Sequence, residues 1–137
     1  MPLILDTGPL LAALDAADPD HGACAALVAE SGEDLLVPAL VLAELDYWCH
    51  KRLGVEAWLV FLDDVLAGAY DVEAPTHADL RRARELQETY ADCALGVVDA
   101  SVVALAERLG ERRLATLDRR HFTVVRPAHA DAFELLP

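Results

Sequence analysis

Lysine is nearly missing from this chain: Lys51 is the only one, and 11 basic residues face 24 acidic ones for a formal net charge of −13. That balance excludes a grip on nucleic acid by charge alone, because such binding comes from Lys and Arg neutralising phosphates. A nucleic-acid function would need bound metal to offset the acids, or a basic protein partner. Also missing is any uninterrupted apolar stretch near the roughly 20 residues that span a bilayer. The mean hydropathy of +0.26 therefore describes a buried core. The opening MPLILDTGPLLAALD has no basic segment before its apolar run, which Asp6 interrupts, so it reads as the mature start of a cytoplasmic protein rather than a leader. Cysteine is scarce and odd in number. Cys24, Cys49 and Cys93 have neither zinc-site spacing nor the density of a disulfide scaffold, and read as reduced core thiols. Repeats, low-complexity tracts and linkers are absent too. A length of 137 residues then suits one compact domain over 1–137, and the alanine- and arginine-rich composition suits a high-GC bacterial source.

What is present is an alternation of short apolar runs and helical patterns. Leu3 to Leu5 reads as a strand buried on both faces and ending at Asp6. Thr7 and Pro9 start a helix that ends near Asp18-Pro19, and Asp20 opens a second, HGACAALVAE. Leu35 to Val37 is the next strand, and Pro38 opens the helix ALVLAELDYWCHKR, followed closely by VEAWLVFLDDVLAG. Tyr70 to Val72 is a weak strand; Thr76 precedes the polar helix HADLRRARELQETY, which looks largely solvated. ADCALG is a loop, GVVDASVVALAERLG a helix bounded by glycines, Leu114 to Leu117 a strand ending at Asp118, and Val124 with Val125 a last short strand. Strands alternating with helices predict an α/β fold with a central, mostly parallel sheet of four to five strands flanked by helices.

Four carboxylates stand out from that frame. Asp6 and Asp118 each follow a buried strand, and ligands of parallel α/β sheets gather at the carboxyl ends of strands; opening a turn is the alternative role for either alone. Glu44 has Leu40, Val41, Tyr47 and Trp48 at helical spacing and so projects from an apolar face, where a carboxylate requires a hydrogen-bond partner, an opposite charge or a metal. Asp99 repeats the pattern with Val102, Val103 and Ala106, although an acid in a first helical turn also complements the macrodipole. Asp92, in the preceding loop, is a weaker candidate. Oxygen-only carboxylate clusters select hard cations such as Mg²⁺ or Mn²⁺. The five histidines lack ligand spacing: His21 and His129 sit in polar surroundings, and His50, His77 and His121 read as surface or helix-end residues. A cluster of acids around Mg²⁺ suits phosphodiester hydrolysis. Thr7 and Thr116 are placed to orient a metal-bound water, with capping or packing as their alternative roles.

With those segments in view, the chain resembles PIN-domain ribonucleases, specifically the VapC-type toxins of bacterial type II toxin-antitoxin systems. The likeness runs through LILDTGPLLAALD, VPALVLAELDYW around Glu44, YADCALGVVDASVVALAERLG around Asp99 and LATLDRRHFTVVRP around Asp118, in that order. The resemblance implies a PIN-like parallel sheet and an acidic pocket of Asp6, Glu44, Asp99 and Asp118 that binds Mg²⁺ or Mn²⁺. It implies endonucleolytic cleavage of RNA that leaves 3′-hydroxyl and 5′-phosphate ends, a homodimer, and a cognate VapB-type antitoxin that occludes the site. The net negative charge then predicts a basic antitoxin and an arginine-bearing rim for RNA. Lys51, Arg52, Arg112, Arg113, Arg119 and Arg120 are candidates for that rim, with Arg119 and Arg120 foremost because they follow Asp118.

Two other readings remain at this level. An aspartate ending the first strand also serves as the nucleophile of α/β phosphatases and phosphotransfer domains, but a haloacid-dehalogenase-like site would want an acid where this chain has Gly8. The second is a catalytically silent module that uses the acids to bind a basic peptide.

Overall fold

In the computed structural model, which describes residues 2–137, one sheet is built from β1 (Leu3–Leu5), β2 (Leu35–Pro38), β3 (Asp71–Glu73), β4 (Arg113–Ala115) and β5 (Glu134–Leu136). Its order is β3-β2-β1-β4-β5, and every neighbouring pair is parallel. The helices are α1 (Thr7–Leu14), α2 (His21–Glu30), α3 (Ala39–Arg52), α4 (Val55–Leu66), α5 (His77–Thr89), α6 (Val97–Leu109) and α7 (Arg119–Val124), with a 3₁₀ turn at Ala91–Cys93. The expected parallel α/β sheet is therefore present.

The sequence explains the centre of the sheet directly. Leu3, Ile4 and Leu5 are fully buried, as a strand covered on both faces requires. β1 pairs through Leu3 with Leu35 and Ile4 with Leu36 on one side, and through Ile4 with Leu114 and Leu5 with Ala115 on the other. Because parallel strands point the same way, the residues that leave β1 and β4 emerge on one edge of the sheet. Asp6 and the segment Thr116–Asp118 thus become neighbours although they are far apart in sequence.

Several expected boundaries move. Val124 and Val125 are not a strand: Asp118 accepts the His121 N–H at 3.1 Å and starts α7 there. Phe122 and Val125, spaced i and i+3, are then buried together, and the last strand is Glu134–Leu136. β4 stops at Ala115 rather than Leu117, although the Thr116 N–H still bonds the Leu136 carbonyl at 2.9 Å. Asp6, not Thr7, occupies the N-cap of α1, and that helix ends at Leu14, where Asp15 becomes extended and accepts the Ala17 N–H at 3.0 Å. β3 lies one residue later than expected.

The polar α5 is also less solvated than its composition suggests. Asp79, Ala83 and Leu86 are buried beneath it. Thr76 and Asp79 form a reciprocal capping box, with bonds of 3.1 and 2.9 Å. Asp79 then takes Arg108 of α6 at 3.1 Å, while Arg82 reaches Glu107 at 2.7 Å. Asp79→Ala removes the cap and leaves Arg108 with only Glu73, so it should cost about 2–3 kcal/mol in urea unfolding. A loss below about 0.5 kcal/mol would assign α5 no such anchor.

Candidate active site

Asp6 stands at the junction of β1 and α1, where its own N–H bonds the Ala115 carbonyl at 2.9 Å and ties it to the end of β4. Its side chain is 5% exposed. One carboxylate oxygen, Oδ2, accepts from the Thr116 hydroxyl at 2.9 Å. The other, Oδ1, is buried without a hydrogen-bond partner among the described residues. Thr116 is fully buried, and its oxygen also accepts the Asp118 N–H at 3.0 Å. One hydroxyl thereby fixes Asp6 and the Asp118 backbone relative to each other. Gly8 permits the close approach of α1: a Cβ there would lie 3.2 Å from the Leu117 Cβ.

α3 and α6 supply the other two acids. Glu44 and Asp99 line, with Asp6 and Asp118, a single cavity of about 390 Å³ whose wall also includes Thr7, Gly8, Trp48 and Arg52. All four acids singled out in the sequence are brought together. Glu44 does so in a different setting from the one expected. The buried stripe of α3 is Val41, Leu45 and Cys49, and Glu44 lies half-buried beside it, with Tyr47 exposed. Glu44 is thus a cavity-wall residue.

His121 is the residue that sequence spacing missed. It is a helix-end residue of the short α7, but not a surface side chain: its Nδ1 lies 2.8 Å from Asp118 Oδ2 and 3.4 Å from Asp99 Oδ2, and its Nε2 lies 3.0 Å from the Cys93 carbonyl. Asp99, Asp118 and His121 each place a potential ligand atom within 4.8 Å of the others. Both ring nitrogens face oxygen acceptors, and only the doubly protonated ring can donate to both. The bond to Asp118, followed by that to Cys93, accordingly pushes the His121 pKa up. The signal was local: His121 follows the helix-capping Asp118 by three residues, the spacing of a reciprocal cap.

The electrostatics are those of carboxylates in search of a cation. Burial, opposed by the Thr7 backbone and Thr116 hydrogen bonds and reinforced by Glu44 and Asp118, pushes the Asp6 carboxyl up to about 6. Burial, then the negative charges of Asp6 and Asp118, push Asp99 up to about 7, with His121 opposing. A bare buried oxygen on Asp6, four carboxylates on one cavity and these raised pKa values fit a hard divalent ion.

Other candidates lie elsewhere. Asp92 is exposed on the 3₁₀ turn and is not part of the cavity wall. Arg119 and Arg120 are exposed; Arg119 bonds the Pro137 carbonyl at 2.9 Å, and neither lines the cavity. Arg113 pairs with Glu33, and with Arg112 it borders a different depression beside β5. Of the six proposed rim cations, Arg52 is the one in the cavity wall.

Comparison with known proteins accords with this geometry. The model of the PIN domain family matches residues 3–126, a span that contains all four acids. The chain is 39% identical to Ribonuclease VapC26 of Mycobacterium tuberculosis over 135 residues, covering 98% of this chain and 100% of that protein. Among solved structures, Mycobacterium tuberculosis VapC20, described as a sarcin-ricin loop cleaving toxin, matches with a TM-score of 0.76 at 23% identity, over 82% of this chain and 86% of its own. VapBC2 from Rickettsia felis, solved bound to a DNA fragment from their promoter, matches at 0.71 and 19% identity over 100% of both chains. No helix among the described residues is long and apolar enough to cross a membrane. Fold, full-length similarity and family match agree, and this chain belongs to the PIN domain family as a protein of the VapC type.

Proposed function

We propose that the chain is a divalent-metal-dependent endoribonuclease, a single PIN domain over 1–137 that acts as the toxin of a type II toxin-antitoxin pair in the bacterial cytoplasm. The observation that carries this reading is the convergence of Asp6, Glu44, Asp99 and Asp118 on one cavity, with Asp6 Oδ1 unpartnered. Asp6 and Asp99 are the direct ligands of Mg²⁺ or Mn²⁺, and Glu44 and Asp118 complete the site directly or through water. When bound, the ion supplies an activated water and charge stabilisation at the scissile phosphate. Thr116 keeps Asp6 aimed, and His121 holds Asp118 by its 2.8 Å contact. Water adds to phosphorus, the bond to the 3′-oxygen breaks, and the products carry 3′-hydroxyl and 5′-phosphate ends.

A net charge of −13 supports a basic VapB-type antitoxin as partner, with a homodimer as the working assembly. The phosphatase alternative finds no support at Gly8, which supplies no second acid and packs tightly against Leu117. Incubating the purified chain, freed of partner, with RNA in Mg²⁺ or Mn²⁺ should yield discrete 5′-phosphorylated fragments, and EDTA should stop the reaction. Cleavage that continues in EDTA would overturn the metal-dependent mechanism.

A further inference from the structure

We propose that Trp48 and Arg52 form a nucleotide subsite beside the four acids, where one unpaired base of the RNA stacks on the indole and its phosphate meets the guanidinium. The inference rests on the ribonuclease reading above and adds which form of RNA the site accepts. Glu44, Trp48 and Arg52 lie at i, i+4 and i+8 on α3 and all line the cavity. Successive steps of about 6 Å along the helix axis make them a row leading outward from the acids: carboxylate, aromatic, cation.

Each member of the row has the character the role requires. Among the described residues, Arg52 is the only basic side chain in the wall of this cavity. It is exposed, and among the described residues it has no carboxylate within ion-pair distance, so its charge is not committed to holding the fold. Its guanidinium carbon sits 4.8 Å from the centre of the Trp48 ring, a cation–π arrangement that orders both groups before a ligand arrives. Tyr47 and Trp48 meet in a T-shaped pair at 5.1 Å and 80°, which helps to fix the indole. The other tryptophan behaves differently: Trp58 stacks on Phe61, which in turn meets Tyr70, a packing cluster away from the cavity. At about 390 Å³ the cavity falls within the range of small-molecule sites, roughly 300–1,000 Å³.

RNA recognition uses aromatic rings and arginine planes to stack bases that have left a helix, and every base offers a π-face. The subsite therefore selects unpaired over paired nucleotides and is tolerant of base identity. In a chain this acidic, Arg52 is also where a phosphate next to the scissile one finds a counter-charge.

The test uses full-length Asp99→Asn protein, so that the probe is not consumed, with Trp58→Phe to leave Trp48 as the reporting indole. A short single-stranded oligoribonucleotide should quench Trp48 fluorescence, and a fully paired duplex of equal length should not. Trp48→Ala should weaken binding about ten-fold or more, with Trp48→Phe restoring most of it. Arg52→Ala should lower the slope of log affinity against log salt by about one, and Arg52→Lys should keep it. Circular dichroism and melting establish that each variant is folded, and the Phe and Lys variants decide the matter should an alanine variant unfold. Unchanged affinity in the folded variants, or equal quenching by duplex, overturns the subsite. So does a result in which RNA binding survives and binding of a purified basic antitoxin is lost, since the face would then belong to the protein partner. Absence of RNA cleavage by the unsubstituted chain would instead overturn the ribonuclease reading.

Discussion

Asp99→Asn should reduce RNA cleavage by about a thousand-fold or more and, in the same protein, raise the stability of the metal-free form at pH 8. The first effect follows from the proposed role of Asp99, since losing a charged ligand to a catalytic ion removes several kcal/mol of transition-state stabilisation. The second follows from the folded-state titration. Asp99 ionises at about 7 rather than at the ordinary 3.8, chiefly through burial and then through Asp6 and Asp118. Between those values the folded chain holds a proton that the unfolded chain has released, so stability falls as pH rises, and above about 7 the whole cost is present. A fully shielded group would cost about 4 kcal/mol. Asp99 is 18% exposed and shares its field with other acids, and about 2 kcal/mol is the expected gain. In EDTA, the melting temperature of the variant should exceed that of the parent by several degrees at pH 8, and the difference should shrink toward pH 5. A variant that loses activity and stability together would show Asp99 to be a structural residue.

Divalent-ion affinity should carry the same titrations with opposite consequence. With Asp6 at about 6 and Asp99 at about 7, an ion must displace protons at lower pH and none from these groups at higher pH. Apparent Mn²⁺ affinity should be nearly flat above pH 7.5, fall about ten-fold per pH unit just below 7, and fall toward a hundred-fold per unit below 6. His121, raised by its bond to Asp118, adds to this dependence in the same direction, because an arriving cation disfavours the imidazolium. Calorimetric titrations in buffers of different ionisation enthalpy count the protons released. At pH 8, Mn²⁺ at 100 times its Kd should stabilise the fold by about 2.7 kcal/mol, lost on adding EDTA. Affinity that does not change between pH 5.5 and 8 would separate the ion from these carboxylates.

The acids were legible in the sequence because each breaks a local apolar pattern, and such breaks are visible without tertiary information. Asp6 ends LIL, Asp99 opens a helix with a buried face, and both stay where the pattern put them. β1 and β2 were legible for a related reason, since a central strand buried on both faces is continuously apolar. The edge strands divide: β3 lies within one residue of its expected place, whereas β5, ELL, is only partly covered, and Val124-Val125 was the stronger apolar pair until the Asp118 cap turned that segment into helix. His121 was missed because its partners come from three places, Asp118, Asp99 and the Cys93 carbonyl, two of which only tertiary folding supplies. Arg119 and Arg120 were favoured over Arg52 by adjacency to an acid. Helical geometry singles out Arg52 as well: it lies two i+4 steps from Glu44 and shares its cavity, while Arg119 and Arg120 are exposed outside that wall.

The position of β4 between β1 and β5 also has a consequence for the timing of synthesis. While the chain is emerging, Asp6, Glu44 and Asp99 are all made before Arg113–Ala115 exists to cover the open edge of β1. Only when that strand docks does the Thr116 hydroxyl reach Asp6 across 110 positions of sequence. A ribosome-bound chain stopped short of β4 therefore carries three of the acids while Asp6 still lacks the hydroxyl that fixes it, and the four-acid cavity is completed only as the last fifth of the molecule is delivered.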